Sequence, residues 1–442
     1  MKRDVYSELV NWKQSDRRKP LLLRGARQTG KTFILKEFGK NEYRSLSYFN
    51  FEEDPRLKDL FTGSLKPDRI IENLSLYQKR PIGPATDLVV FDEIQTSNEA
   101  LNSLKYFNEE ASDYHVAAAG SLLGVKLSTP MSFPVGNVSF IDLQPMSFLE
   151  FLDAVGESRY RQLIEGIQKP EPLPLPFHEE LVDLLRQYFF TGGMPEAVRH
   201  YAETRDVAAV RTIQKEIIDS YMLDFAKHAP VHDIAKLSLI WDSIPVQLAR
   251  ENRKFLFSAL KKSARARDYE TAILWLEDAG LILRCFLVSK AGQPLKGYAD
   301  RSNFKVYALD VGLLGAMANI SPDILAHGHE LFDEYKGAFT ENYAAQQLKS
   351  FLRQELYYWK SEGGSAEVDF LCPCHDDILP LEVKSGVNPR SKSLRSYDGQ
   401  FQPVHLIRTT LLNLHRDGKI TNIPLYALSC LERVVIGSDI LT

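Results

Sequence analysis

Cysteine is scarce in this chain. Four among 442 residues, Cys285, Cys372, Cys374 and Cys430, stand at spacings that make no disulfide framework. A fold stapled by bridges is therefore excluded, and a reducing compartment is expected. Long apolar runs are missing too: no stretch reaches the ~20 residues needed to span a bilayer, and Met1 to Pro20 is charged, without the apolar core of a secretion signal. The chain is read as cytoplasmic, with no membrane partner. An excess of either charge is also absent, since 54 Lys and Arg face 58 Asp and Glu for a net charge of −4. Bulk charge thus marks no polyanion binder, and any basic surface has to be local. What remains, 44% hydrophobic and 25% charged residues, is ordinary for a globular protein, and the length allows about three domains.

The most informative stretch runs from Leu21 to Thr32. Three leucines and Arg24 lead into Gly25-Ala26-Arg27-Gln28-Thr29-Gly30-Lys31-Thr32, a Gly-x-x-x-x-Gly-Lys-Thr loop. Its backbone N–H groups can cradle phosphate oxygens, Lys31 adds a point charge beside the β- and γ-phosphates, and the Thr32 hydroxyl can ligate Mg²⁺. Thr32 to Phe38 has the residues to continue as a helix, whose positive end then faces the same phosphates. The expected ligand is ATP with Mg²⁺.

Strand-like and helix-like runs alternate through the first third. Arg44 to Phe51 reads as a strand, Pro67 to Gln78 as a helix, and Asp87 to Glu93 as a fully buried parallel strand with acids at its carboxyl end, where open α/β sheets bind ligands. Asp92 there can hold Mg²⁺ through water, and Glu93 can orient and deprotonate an attacking water. His115 to Ala119 is a further strand ending in Gly120-Ser121. Ser121 is a candidate γ-phosphate sensor; an N-cap for the residues that follow is the alternative.

Together with Phe91-Asp92-Glu93-Ile94-Gln95, Ala119-Gly120-Ser121-Leu122-Leu123-Gly124 and the later Gly192-Gly193-Met194-Pro195, the loop resembles the AAA+-type ATPases of bacteria and archaea that carry a C-terminal domain of unassigned function. The resemblance implies a nucleotide-binding core followed by a helical lid, and it places Pro195 in a lid turn near the adenine. No motif singles out an arginine finger.

Beyond Pro145 the pattern turns helical, with helices expected over Met146 to Val155, Leu181 to Phe190 and Arg211 to Ala226. From His232 to Met317 it suggests a winged helix: a helix at Asp268 to Ala279, capped by Gly280, then strands at Leu281 to Ser289 and Phe304 to Leu309. Arg253, Lys254, Lys261, Lys262, Arg265 and Arg267 come with no acid among them and could neutralise DNA phosphates. A solvated face or an internal docking surface is the alternative.

In the last third, a helix around Lys336 to Leu352 carries Glu341 within its apolar stripe, which costs several kcal/mol unless the carboxylate is paired or bound to metal. A hairpin is expected from Ala366 to Cys372 and Leu379 to Lys384, bringing Asp369, Glu382 and Lys384 to one face. Glu341, Val368-Asp369-Phe370 and Leu381-Glu382-Val383-Lys384 resemble the PD-(D/E)XK restriction-endonuclease-like fold, without a proline before Asp369. The resemblance implies Mg²⁺ on Asp369 and Glu382, helped by the Val383 carbonyl and Glu341, with Lys384 orienting the attacking water. A polar hairpin face with Asp–Lys pairing is the alternative. Cys372-Pro373-Cys374-His375 has no second ligand pair to complete a zinc site.

The expected fold is α/β: a P-loop parallel-sheet AAA+-type ATPase core over 1–145, a helical lid over 146–230, a winged-helix module over 231–318 and an α/β nuclease-like domain over 330–442. The function expected is ATP hydrolysis acting on DNA, with phosphodiester cleavage under nucleotide control. The alternative is a nucleotide-gated switch that binds a protein or nucleic acid through an inactive C-terminal domain. DNA is the candidate partner, with a second copy of the chain beside it.

Overall fold

The computed structural model describes residues 1–121, 136–250, 254–321, 332–385 and 391–439. Two compact units divide the chain: residues 1–144 with 278–280, and residues 145–277 with 281–442.

The first unit is built on five parallel strands, β1 (Leu21–Gly25), β2 (Ser45–Asn50), β3 (Asp87–Asp92), β4 (His115–Ser121) and β5 (Ser139–Asp142), in the spatial order β2-β3-β4-β1-β5. Both faces are covered, which is why the strands read as continuous apolar runs rather than alternating ones. Leu21 and Leu23 point into a core shared with helices α1 (Val5–Gln14) and α2 (Lys31–Glu42). Leu22, between them, packs on the opposite core with α3 (Pro67–Gln78) and α4 (Asn98–Glu110). Leu21, Leu22 and Leu23 are completely buried, each contributing about 1.5–3 kcal/mol. This sandwiching holds the carboxyl ends of β1 and β3 in place.

The second unit opens with helices Phe148–Ala154, Ser158–Glu165, Leu175–Thr191, Pro195–Thr204, Val207–His228, Val231–Leu248 and Ala266–Asp278. The first of them starts with a capping box between Ser147 and Glu150. After Gly280, which is left-handed at φ 74°, β6 (Ile282–Val288) and β7 (Ala299–Ala308) form an antiparallel pair. They share one sheet, in the order β7-β6-β8-β9, with β8 (Leu356–Lys360) and β9 (Glu367–Val368). Its strands therefore come from both sides of the interval 318–330. A second sheet, β10-β11-β12-β14-β13, is formed by β10 (Phe370–Cys374), β11 (Asp377–Val383), β12 (Leu406–Thr410), β13 (His415–Asp417) and β14 (Ile420–Pro424). Asp369 is the single residue between β9 and β10, where the chain passes from one sheet to the other.

The helix Phe332–Leu352 crosses the middle of this unit. Polar residues are buried along it, and each serves a neighbouring backbone. Asn342 exchanges hydrogen bonds with the N–H and C=O of Ala308 at 2.8 and 3.2 Å, Gln346 accepts from Val311 N–H at 3.0 Å, and Gln347 accepts from Phe148 N–H at 3.1 Å. Buried amides that satisfy a strand edge and two helix starts fix the position of the helix more tightly than apolar packing would.

Candidate functional site

The loop Gly25–Thr32 joins the end of β1 to the start of α2. Gly25 is required by close approach, because a Cβ there would lie 2.3 Å from the Leu143 carbonyl oxygen. Lys31, 7% exposed, turns its ammonium back onto the loop and donates to the carbonyls of Gly25 and Ala26 at 3.0 and 2.8 Å. Burial lowers its pKa to about 8, against the opposing pull of Glu93 and Asp92. The loop is also clamped from outside its own motif: Arg3 donates to the Thr29 carbonyl at 2.9 Å and to that of Gln144 at 2.6 Å.

Asp92, at the end of β3, is 1% exposed. Its Oδ2 accepts from the Thr32 hydroxyl at 2.7 Å and from the Tyr48 hydroxyl at 2.6 Å. Tyr48 comes from the adjacent strand β2, where it stands opposite Val90, on the same face of β3 as Asp92. Burial, followed by the Asp92 hydrogen bond, raises the Tyr48 pKa, so its hydroxyl stays a donor. Glu93 lies just past the strand in a left-handed conformation, φ 53° and ψ 39°, and its carboxylate accepts from the Gln95 amide at 2.5 Å. Such backbone is uncommon for a non-glycine residue, and here it turns Glu93 off the strand direction that Asp92 follows. Ser121 ends β4 opposite Gly25; the residues from Leu122, on which its capping role depends, lie outside the described ones.

The Gly192-Gly193-Met194-Pro195 turn belongs to the second unit. Gly193 N–H donates to Asp310 Oδ2 at 2.6 Å, and its carbonyl accepts from Met146 N–H at 2.7 Å. Pro195 occupies the first position of the helix Pro195–Thr204, where a missing N–H costs nothing. Asp310 is fully buried; desolvation raises its pKa, against the N–H groups of Gly193 and Leu313.

The C-terminal acids gather about a side chain that the sequence reading did not include. Lys305, on β7 and 1% exposed, has its ammonium 2.9 Å from Glu341 Oε1, 2.7 Å from Glu367 Oε1 and 3.6 Å from Asp369 Oδ1. Glu341 is completely buried and also accepts from Tyr307 at 2.5 Å. Burial works to raise the Glu367 carboxyl, but Lys305 and Lys360 outweigh it and hold it below its ordinary value. Asp369 Oδ2 accepts from Val383 N–H at 2.8 Å, and Glu382 pairs with Lys384 at 3.0 Å. The hairpin itself is tighter than expected, with β10 and β11 joined across His375 and Asp376 alone. Among the described residues, no three His, Cys, Asp or Glu side chains form a cluster fit for a metal ion. Cys372 and Cys374 are buried, and neither is in a disulfide.

Around the helix Ala266–Asp278, Lys261, Lys262, Arg265 and Arg267 are all exposed, and Tyr269, Ala272, Ile273 and Leu276 form its buried face. Arg253 lies outside the described residues.

Residues 17–152 match the family model described as an AAA domain. The chain carries an AAA-type P-loop ATPase domain. Residues 182–324 and 336–428 match two families described as domains of unknown function, DUF8612 and DUF4143. No curated protein gives a match. Among solved structures, the chain is similar to the Walker-type ATPase of Pyrococcus abyssi, at 12% identity over 72% of this chain and 95% of that one, TM-score 0.43. It is also similar to the Aeropyrum pernix Orc1 protein in complex with DNA, at 14% identity over 72% and 90%, TM-score 0.30. Thermotoga maritima RuvB follows at 16% identity over 66% and 89%, TM-score 0.28.

An ATPase of this kind implies a bound nucleotide, usually with Mg²⁺, and the residues of the domain fit both. The Thr32 hydroxyl and the Asp92 carboxylate already meet at 2.7 Å, a hard-oxygen pair suited to Mg²⁺ and its waters. Lys31 is held by the carbonyls of Gly25 and Ala26 at the start of the motif. Two contributors escaped the motif, Tyr48 and Arg3. Tyr48 lies in alternation with Leu46 on a recognisable strand, which offered a signal; Arg3 offered none. No helix among the described residues is long and apolar enough to cross a membrane.

Proposed function

We propose that the ATPase domain hydrolyses ATP with Mg²⁺ held by Thr32 and Asp92 and with Glu93 as the base for the attacking water, and that its nucleotide state governs contact with DNA. The convergence of the Thr32 and Tyr48 hydroxyls on one buried oxygen of Asp92 carries the nucleotide half. The loop residues Gly25 to Thr32 would hold the phosphates, with Ser121 sensing the γ-phosphate.

The DNA half is supported by the basic residues before and within the first turn of the helix Ala266–Asp278. Cations there oppose the helix dipole; Arg267 lies 3.6 Å from Asp268, and an anionic backbone would compensate the cations before it. Residues 231–318 contribute in this proposal a winged-helix-like surface through the helix Ala266–Asp278, while β6 and β7 belong to the sheet they share with β8 and β9. Residues 146–230 form the lid, residues 330–442 together with β6 and β7 a nuclease-like domain, and the chain associates with further copies of itself. For the C-terminal domain, the ion pairing of Lys305 with Glu341 and Glu367 favours a binding role over phosphodiester cleavage.

Two measurements test this. Lys31→Ala should lose nucleotide affinity, whereas Glu93→Gln should keep it and lose turnover by about 10² or more; normal turnover in Glu93→Gln sinks the assignment. Replacing Lys261, Lys262, Arg265 and Arg267 with alanine should weaken binding to all DNA sequences and flatten its salt dependence by nearly one unit per lost contact. An unchanged salt slope returns the stretch to a solvated face.

A further inference from the structure

The nuclease-like resemblance implies a divalent ion on Asp369 and Glu382, with Glu341 beside them, and several of their oxygens are already taken. Glu341 Oε1 is occupied by Lys305 and Tyr307, one Asp369 oxygen by the Val383 N–H and Glu382 Oε1 by Lys384; Asp369 Oδ1 lies 3.6 Å from Lys305, and Glu382 Oε2 is buried without a hydrogen bond. Charge is the stronger objection. The carboxylates of Glu341, Glu367, Asp369 and Glu382 are matched by four cations: Lys305 at the centre, Lys360 at 3.3 Å from Glu367, Lys384 on Glu382, and Arg408, which stands opposite Glu382 across the β11–β12 pairing. A divalent ion would add two charges to a set already balanced, and it would have to expel an ammonium that is almost wholly desolvated. Separating such a buried pair would leave desolvated charge uncompensated.

We infer that Lys305 is a tethered cation standing where a divalent ion would otherwise lie among Glu341, Glu367 and Asp369, so that the wild-type cluster takes no metal. An ammonium neutralises carboxylates but has no open coordination position from which to lower the pKa of a bound water. The cluster thus keeps the acids of a hydrolytic centre while lacking its Lewis acid. This rests on the non-cleaving reading of the C-terminal domain and is independent of the nucleotide reading, because its test uses no nucleotide.

The experiment titrates full-length, nucleotide-free protein with Mn²⁺ alone and follows the free ion by electron paramagnetic resonance. Wild type and Asp369→Asn should take up the same amount. Lys305→Gln should take up about one ion more per chain, with a melting temperature that Mn²⁺ raises, and Lys305→Gln combined with Asp369→Asn should lose that gain. Wild-type uptake abolished by Asp369→Asn overturns the inference, as does a folded Lys305→Gln protein with no added uptake. Lys305→Met, which fills the space without charge, is the second variant. Should neither variant fold, the comparison of wild type with Asp369→Asn decides alone.

Discussion

Gly192→Ala is the most exacting perturbation. Gly192 has φ 71° and ψ −164°, a region essentially confined to glycine, and forcing alanine into it costs about 1–3 kcal/mol. The new Cβ would also stand 2.1 Å from Asp310 Oδ1, so the carboxylate must retreat. That retreat strains the bonds it accepts from Gly193 N–H at 2.6 Å, Leu313 N–H at 3.0 Å and the Gln346 amide at 3.1 Å. Loss of one hydrogen bond to a buried charge is worth about 1.5–3 kcal/mol. The two effects together reach roughly 2.5–6 kcal/mol, a large share of the ~5–15 kcal/mol that holds a typical domain folded. Urea unfolding read by tryptophan emission suits the measurement, because Trp241, Trp275 and Trp359 all lie buried in the second unit. A loss below about 0.5 kcal/mol, the scale of a neutral surface change, refutes the reasoning. A role confined to the adenine predicts the opposite pattern, weaker nucleotide binding at unchanged stability.

Three further outcomes follow from the first unit. Because burial brings Lys31 to about pKa 8, its free-state ammonium is lost as pH rises past 8. ATP affinity should be level below that pH and fall above it by up to about tenfold per unit; Lys31→Arg should flatten the curve, and an affinity level to about pH 9.5 in the parent contradicts it. Tyr48→Phe removes one of the two hydroxyls that orient Asp92, so a magnesium titration of turnover should shift upward about tenfold, and an unshifted midpoint denies Tyr48 that role. His115 is held down to about pKa 4 by burial, with Arg18 and Lys13 adding to it. The unfolded chain takes up this proton first, so the contribution is whole above pH 6.5 and drains away as pH falls through 4. His115→Phe should remove that part of the acid transition seen through Trp12, and an identical acid transition counts against it.

Legibility in the sequence followed how local each cause is. The loop and the strand Asp87–Asp92 are written in contiguous residues, and the helix Pro67–Gln78 has the span that its first-turn proline and apolar spacing predict. Met146 to Val155 shortened to Phe148–Ala154 because the Ser147–Glu150 capping box sets the start. Lys305 escaped for a different reason. A lysine on a strand reads as solvent-facing, and only the packing of Phe332–Leu352 against β7 turns that face into an interior. The clue was its company: Phe304, Lys305, Val306, Tyr307 and Ala308 are buried in succession, and an all-apolar run leaves its one cation no water to reach. Glu341 was legible as a carboxylate in need of compensation, but its partner lies 36 positions upstream.

The sheet β7-β6-β8-β9 limits how this chain can be cut or recombined. β8 lies along β6 in parallel, from Cys285 opposite Leu356 to Val288 opposite Trp359. A fragment beginning near residue 330 would keep β8 and β9 but leave that flank bare, a row of unpaired N–H and C=O groups open to a strand from another molecule. The same fragment would carry Glu341 and Glu367 without Lys305. Such a piece should cluster or exchange strands with its neighbours, and a gene fusion joined at this interval would inherit half a sheet; the two stretches are therefore expected to travel through evolution as one cassette.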